Sequence, residues 1–542
     1  MIARKSFIIV ISNFILQVLG WVGIVVLAKT WGAASTAALG SIAFAMSFIA
    51  IFNTFADLGF GKAHIKRVSE GKDLGTCIGT YATIKVFLTM AMVVAVLTSL
   101  FIMKTFLNQN FSDATTESLI YVFLLYYIFT NLSAIPRQTF VAKKKMVKLN
   151  LPDIFGRMVK VPLSILVALT GVHAILVQDT IINVETMAYW PEFLRPLQIY
   201  IYEHALGAYA FTYTLDMLIV LAVGFYFLRK YPIKRPSYQM FKNYAIFALP
   251  ITLMSVIGII STNIDKLMIG FFWTNVEVGY YFTVQRVFEM ISIIYMSLGT
   301  VLFPTFSELH STNNIDKIKE TVDVSARYLS MVVMPVIVVI IIFVNPVIYI
   351  LLDKSFLPAA PVLLVLTIYA FLEAILRPYA AVITGIDKVK IGAKSSFFVC
   401  TTNIILNYLF IPQNGLLSYF GINGPTGAAF ATVLSCTFGF IYIRIMLKRL
   451  IGLKYYQKNI PKHIFAGVIM GLILYYLSNN IFIMDLLNWY HLLIYAFGGL
   501  AIYIGILFLL KEFNKKDLMF FLDIIHPKKL LSYVNSELKE KK

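Results

Sequence analysis

The sequence predicts an all-α polytopic membrane protein of about fourteen transmembrane helices, arranged as two pseudo-symmetric six-helix bundles followed by two extra C-terminal helices. Three observations carry that expectation. Of 542 residues, 59% are hydrophobic and only 13% charged, with a mean hydropathy of +0.80, a balance that no soluble domain of this length sustains. Fourteen apolar runs reach the ~20 residues that a bilayer crossing needs, at 7–28, 38–59, 77–103, 119–140, 157–177, 205–228, 244–271, 278–303, 326–350, 361–384, 392–411, 424–447, 463–484 and 489–510. Threaded through that topology, 38 of the 46 Lys and Arg fall on one side and four on the other, which is the positive-inside pattern.

At the N-terminus, Arg4 and Lys5 precede an apolar run from Phe7 to Ala28. That run is longer than a signal-peptide core and has no convincing cleavage site, so it reads as a retained first helix. An even number of spans puts both termini on one side. With that side cytoplasmic, the outer loops hold only Lys29, Lys104, Arg195 and Lys354. A missed or invented helix would invert every later loop and erase the asymmetry. The expected location is therefore the cytoplasmic membrane, multi-pass, with both termini cytoplasmic. The net charge of +19 is then a topology signal with anionic lipid contact as a secondary effect, and it implies no nucleic acid partner.

An internal repeat follows from matched offsets. Leu39-Gly40 and Val278-Gly279 lie 239 apart, Leu58-Gly59 and Leu298-Gly299 240 apart, Pro136 and Pro378 242 apart, and Lys145 and Lys388 243 apart. This pairs helices one to six with seven to twelve, a parallel repeat about an axis normal to the membrane. The expected domains are residues 1–230, 231–450, a two-helix appendix at 451–511 and a cytoplasmic tail at 512–542, with an amphipathic stretch at 517–534 broken by Pro527. The longest outer loop, 178–204, carries Tyr189, Trp190, Tyr200 and Tyr202 and suits an interface-lying segment. Pro162, Pro250, Pro335 and Pro346 sit inside spans and predict kinks.

The chemistry should reside in charges stranded at bilayer depth, where each costs ~2.5–3.5 kcal/mol on insertion scales unless it faces protein or water. Asp265 and Lys266 in the seventh span, and Arg286 and Glu289 in the eighth, flank a short turn near Thr274–Glu277. Arg286 and Glu289 share a helix face and suit an anionic head group with its counter-charge, against the competing reading of a structural ion pair. Glu373 and Arg377 in the tenth span form a second same-face pair, open to both readings. Lys85 in the third span is a cavity candidate near enough to the cytoplasm to snorkel. Asp216, alone in the sixth span, is protonated, paired across helices, or a cation-coupling site. Arg157 and Lys160 at the cytoplasmic start of the fifth span read chiefly as positive-inside charge. The substrate-binding candidates are thus Lys85, Lys266, Arg286 and Arg377, and the coupling or counter-charge candidates Asp216, Asp265, Glu289 and Glu373.

Other chemistries lack their residues. There is no GxxxxGK[ST] loop for ATP, Cys77, Cys400 and Cys436 have no ligand spacing, and the seven His are scattered, so neither metal nor cofactor is expected. No Asp or Glu precedes Asp57, which removes the early acidic residues a membrane-embedded glycosyltransferase or polymerase needs. An enzyme is not expected.

At Asp265-Lys266 with Ile269-Gly270, Val278-Gly279-Tyr280, and Pro304 with Phe306-Ser307, the chain resembles the polysaccharide biosynthesis flippases of the multidrug/oligosaccharidyl-lipid/polysaccharide exporter superfamily. Gly385, Lys388, Leu406-Asn407, Ile411-Pro412, Gly424, Gly427-Ala428-Ala429 and Ala431-Thr432 continue the match, and FADLGFGKAHIKRVSEGK at 55–72 fits in the first half. The resemblance implies a V-shaped pair of six-helix bundles around a central cavity. By alternating access they would carry a lipid-linked oligosaccharide on a polyprenyl phosphate or diphosphate to the outer leaflet, for surface polysaccharide or glycoconjugate assembly. Lys85, Lys266, Arg286 and Arg377 would meet its anionic head, with membrane lipids and the glycosyltransferases or polymerase of the same pathway as partners. A cation-coupled multidrug exporter of the same superfamily is the alternative. The first helix has Asn13 and Gln17 but no charge, unlike lipid II flippases, which argues against a peptidoglycan precursor as cargo. The loop between Ile411-Pro412 and Gly424 is longer than the family pattern.

Overall fold

The computed structural model describes residues 19–106, 114–143, 145–177, 180–185, 190–386, 388–453, 459–481, 488–515 and 517–519. Over these residues the chain is an all-α membrane protein. In order it forms α1 (Leu19–Trp31), α2 (Ala33–Asn53), α3 (Phe60–Ser69), α4 (Leu74–Thr105), α5 (Ala114–Ala142), α6 (Met146–Thr170), α7 (Arg195–Glu203) and α8 (Ala205–Leu228). It continues with α9 (Tyr238–Phe272), α10 (Asn275–Ser311), α11 (Ile315–Ile342), α12 (Val344–Leu351), α13 (Ala360–Gly385), α14 (Val389–Phe410), α15 (Gly424–Ile451), α16 (Asn459–Tyr476) and α17 (Trp489–Leu509). Each of the fourteen expected spans overlaps these helices, the first from Leu19 onward and the ninth divided between two. Among the described residues, nine helices are long and apolar enough to cross a membrane by length and composition.

The expected boundaries fail in three places, each for a local reason. The fifth span was expected to reach residue 177, but α6 ends at Thr170 and Gly171–Val177 pairs antiparallel with Thr180–Glu185 as a hairpin. These strands are rich in Val, Ile and Thr, whose β-branched side chains favour a pleated surface, and a short apolar run looks the same to a hydropathy window whether it coils or extends. The second span ends early because Leu58 and Gly59 both take positive φ, 44° and 74°, turning the chain into α3. The ninth breaks at Phe343, between α11 and α12, where Pro346 cannot donate to the Ile342 carbonyl four residues back. By contrast, helices run unbroken through Pro162, Pro250 and Pro335. Within the 178–204 loop, residues beyond the hairpin form α7; Tyr189 lies outside the described residues, as does the tail beyond residue 519.

The described chain packs as two compact units, Leu19–Thr283 with Cys400–Ala428, and Val284–Val399 with the described residues from Ala429 onward. In the first, Phe60, Tyr81, Phe140, Leu228 and Tyr244 build a core around a fully buried His64, whose ring nitrogens hydrogen-bond Tyr244 Oη and Thr139 Oγ1 at 3.0 Å each. Burial there pushes the His64 pKa down to about 4, so the ring is neutral at physiological pH. In the second, Phe306, Ile318, Val322, Tyr379, Val382 and Leu447 form the counterpart core.

Two glycines matched by the expected repeat meet inside the first unit. A Cβ on Gly40 of α2 would stand 1.6 Å from the Asn275 carbonyl oxygen and 2.9 Å from Gly279 N, while one on Gly279 of α10 would stand 1.9 Å from the Thr36 carbonyl oxygen and 3.2 Å from Gly40 N. Each glycine occupies the space the other leaves, the reciprocal contact expected where two related helices meet, and only small residues let membrane helices approach this closely.

In the second unit, Arg327 of α11 anchors the start of the tail. Its Nε donates to Glu512 Oε1 at 2.7 Å and its Nη2 to Asp517 Oδ2 at 2.9 Å, with Lys462 Nζ donating to Glu512 Oε2 at 3.0 Å. Burial alone would raise the Asp517 carboxyl, but hydrogen bonds from Arg327 and Tyr328 more than reverse that and hold it below the usual carboxylate range.

Two outcomes follow from this packing. Gly40→Val should lower stability in detergent by about 3 kcal/mol or prevent folding, because backbone stands where the side chain would go; Gly207→Ala, with nothing within 4 Å, should melt at the wild-type temperature. Because the Asp517 pKa is depressed, its contribution is complete above the ordinary aspartate value of about 3.9 and is lost as pH falls through the lowered one. Protection from hydrogen exchange after Lys511, taken relative to the intrinsic rate at each pH, should therefore be high at neutral pH and fall on acidification below that value, and Arg327→Met should lower it at neutral pH.

Candidate functional site

The charged positions picked out in the spans fall into polar clusters, each contained within one of the two units. In the first unit, α9 presents Asp265, 5% exposed, between α10 and α14. Tyr281 Oη donates to its Oδ2 at 2.6 Å and Asn407 Nδ2 to its Oδ1 at 2.6 Å. Asn407 Nδ2 also donates to Asn403 Oδ1 at 3.2 Å; the two asparagines sit four apart and so share a helix face. Asn407 Oδ1 is buried without a hydrogen-bond partner. A buried carboxylate held by a tyrosine hydroxyl and an amide nitrogen is a group that suits reversible protonation. The adjacent Lys266 is buried and turns its Nζ back to the Thr262 carbonyl of its own helix at 2.9 Å.

Lys85 is 2% exposed. Its Nζ donates to the Ala56 carbonyl at 2.9 Å and to Asn131 Oδ1 at 3.1 Å, and lies 3.1 Å from Asp57 Oδ1. The ammonium thus satisfies a carbonyl left open where α2 unwinds and places positive charge at the negative end of that helix. Asp216 of α8 is also buried, with Oδ2 4.0 Å from Arg157 Nε.

In the second unit, α13 carries Glu373 and Arg377, joined by Arg377 Nη2 donating to Glu373 Oε2 at 2.5 Å. The Cys436 thiol of α15 donates to the other carboxylate oxygen at 3.4 Å, and the guanidinium lies 5.8 Å from the Tyr295 ring of α10. Arg377 Nε and the buried Tyr295 Oη have no hydrogen-bond partner, and Tyr369 stacks on Phe288 at 5.0 Å between centroids. Arg286 Nη1 donates to Glu289 Oε2 at 2.8 Å. Arg286 and Arg377 keep 32% and 31% of their side chains exposed, and each is held by a carboxylate that offsets the cost of its depth.

Sequence reasoning missed Tyr281, Tyr295, Asn403, Asn407 and Cys436 as members of these clusters. The asparagine pair was findable, since two amides four apart in an apolar span need partners across helices. The tyrosines carried no such signal among 31 of their kind. Among the described residues there is no group of three or more His, Cys, Asp or Glu placed to hold a metal ion.

Comparison with known proteins adds the family context. Two family models, both described as polysaccharide biosynthesis protein, match residues 2–189 and 199–361. The probable low-salt glycan biosynthesis flippase Agl15 of Haloferax volcanii is 24% identical over 273 residues, 49% of this chain and 56% of that protein. An uncharacterized membrane protein of Methanocaldococcus jannaschii is 26% identical over 218 residues, 40% of each. The chain thus spans about half the length of the curated relatives it matches, or less. Among solved structures, the lipid II flippase MurJ in an inward closed conformation aligns with a TM-score of 0.69 at 17% identity, covering 92% of this chain and 98% of that one. An inward-facing multidrug resistance MATE family transporter of the MOP superfamily aligns at 0.60 and 14% identity, covering 82% and 99%. At these identities the likeness is one of fold, that of a multi-pass helical membrane protein.

The clusters differ in what they contribute to stability. Tyr281→Phe leaves a buried carboxylate short of a donor and should cost about 1.5–3 kcal/mol, whereas Arg286→Ala, which opens a partly exposed pair, should cost under about 1 kcal/mol. Thermal unfolding in detergent would read both, and an equal loss would mean that the two sites are equally structural.

Proposed function

We propose, from the match of two polysaccharide biosynthesis family models to residues 2–189 and 199–361, that the chain is a flippase that carries a lipid-linked oligosaccharide across the cytoplasmic membrane by alternating access. The observation that carries this reading is the partial exposure of the Arg286 and Arg377 side chains within helices of membrane-spanning length. Cations at that depth are tolerated where they meet water or an anion, and a polyprenyl phosphate or diphosphate head supplies one. The similarity over half the chain to a probable glycan biosynthesis flippase supports the same cargo class.

In this reading Arg286 and Arg377 take the phosphate oxygens, and Glu289 and Glu373 hold them in place between transport events. Lys85 and Lys266 contribute positive potential from buried positions. Asp265, with Asn403 and Asn407, is the coupling site, taking up a proton or a sodium ion on one side and releasing it on the other. Both termini face the cytoplasm, as the Lys and Arg distribution supports. The chain makes and breaks no covalent bond, and the glycosyltransferases or polymerase of the pathway act before and after it. The fold likeness to multidrug resistance transporters favours a second reading, export of drugs coupled to a cation; it predicts resistance on expression, with dependence on Asp265 and not on the arginines.

In cells deleted for the native gene, Arg286→Ala and Arg377→Ala should each lower surface glycan at least about tenfold while inserting normally, since each removes a charge-assisted contact to the head group. Arg→Lys at either position should restore part of it. Wild-type glycan levels in both alanine variants would overturn the reading.

A further inference from the structure

The loop that joins α14 to α15 takes no part in the polar clusters. From Ser395 to Ile443 the sequence has no Asp, Glu, Lys, Arg or His, and the loop lies in the middle of that run. Its largest side chains point away from the protein: Leu416 is 71% exposed, Tyr419 93% and Phe420 73%. Apolar groups gathered and left open in this way mark a surface that meets something other than water.

The loop is a folded element. Gly415 N donates to the Pro412 carbonyl at 2.9 Å, Phe420 N to the Leu417 carbonyl at 3.0 Å and Ile422 N to that same carbonyl at 3.2 Å. Gly421, at φ 71°, makes a turn that a Cβ would strain. The base is closed by Gly424 N donating to the Ile411 carbonyl at 2.9 Å, and by the Trp273 indole of α9 donating to that oxygen at 2.7 Å. Leu416 N donates to the Leu409 carbonyl at 2.8 Å, so the chain doubles back to the last turn of α14. The three open side chains are therefore held at the level of the helix ends.

Their neighbours say what covers them. In its last turns α14 buries Asn403 and Asn407 and exposes Ile405, Tyr408 and Leu409, and this apolar outward face continues onto Leu416. The loop ends at Gly424, where α15 starts, and α15 is long and apolar enough to cross a membrane. A loop closed on the first residue of such a helix stands at a membrane boundary. At the same end of α9, Phe271 is exposed and Phe272 meets the Tyr408 ring edge to face, 6.1 Å between centroids. Aromatic rings collected at helix ends are the pattern of the zone between head groups and acyl chains. A charged partner finds no opposite charge here.

We propose that residues 412–423 are a membrane anchor: Leu416, Tyr419 and Phe420 insert among the lipids of the leaflet at this end of the first unit, the outer one in the proposed topology. The partner is the lipid itself, met by apolar contact. The inference stands on the loop and the helices beside it, whether or not the chain is a flippase. Anchored so, the loop sets the depth at which α9 and α14 end, the helices that carry Asp265 and Asn407.

The test uses the full chain, whose Cys77, Cys400 and Cys436 are buried, in phosphatidylcholine nanodiscs. Leu416→Cys, Tyr419→Cys and Phe420→Cys are made singly and labelled with a nitroxide, and Lys72→Cys in the exposed connection between α3 and α4 is the water-facing control. Oxygen collects among acyl chains, while a nickel chelate stays in water. The loop labels should relax faster with oxygen than with the chelate, and the control should show the reverse. Because each replaced side chain is exposed, little internal packing is lost; where one variant does not fold, the other two read the same loop. The anchor stands if at least two of the labels show this order. Chelate access equal to the control's overturns it, and so does shielding from both agents, which a second copy or a partner protein packed on the loop would give.

Discussion

A charge inside a membrane helix must be met by protein or water, and the interior of this chain is arranged around that requirement. Lys85 could reach no solvent from its position, so it is spent on the carbonyl that α2 exposes where it unwinds, with Asp57 and Asn131 completing its contacts. Asp265 is equally deep and is held by Tyr281 and Asn407. These arrangements fix helices in place: removing one partner would strand the other in a medium where an unsatisfied ion costs several kcal/mol. Arg286 and Arg377 are different, since a carboxylate holds each from one side while about a third of the side chain remains open.

The same requirement explains why glycine matters where the helices cross. Lipid offers no hydrophobic driving force for helices to associate, so they are held by close packing and polar contacts. At Gly40 and Gly279 backbone meets backbone, and the nearby Asn275 Nδ2 donates to Thr116 Oγ1 at 3.0 Å. On the cytoplasmic side of the proposed topology, Gly79 lets the Lys234 carbonyl approach so closely that a Cβ would stand 1.9 Å away, and Lys234 Nζ donates to Asp73 Oδ1 at 2.9 Å. Short polar bonds then hold what the glycines allow to come together.

Much of this was legible in the sequence because hydropathy and charge placement are direct consequences of the bilayer. The fourteen spans, the charges within them and the offset that links Gly40 to Gly279 all came from residue type and spacing. What was not legible depended on partners distant in the chain. Nothing near Lys85 in sequence indicates that Ala56 would leave a carbonyl open for it, because that follows from positive φ at Leu58 and Gly59. The hairpin after Thr170 was hidden because its strands are as apolar as the helix they follow. Asn407 of α14 belongs to the family pattern and Asn403 does not, but the contact of Asn407 with Asp265 is a tertiary fact, as is the approach of Arg157 to a residue 59 positions later.

That last contact bears on how a transporter uses buried charge. A tight pair such as Arg137 and Asp153, joined at 2.5 Å, has little to gain from an incoming anion, because breaking it costs as much as the new contact returns. A loose pair is another matter. With Asp216 held at 4.0 Å from Arg157, the paired and parted states lie closer in energy, and a modest perturbation can shift the balance between them. Reversible binding needs this middle ground, since an anion held by fully unpaired cations would not leave.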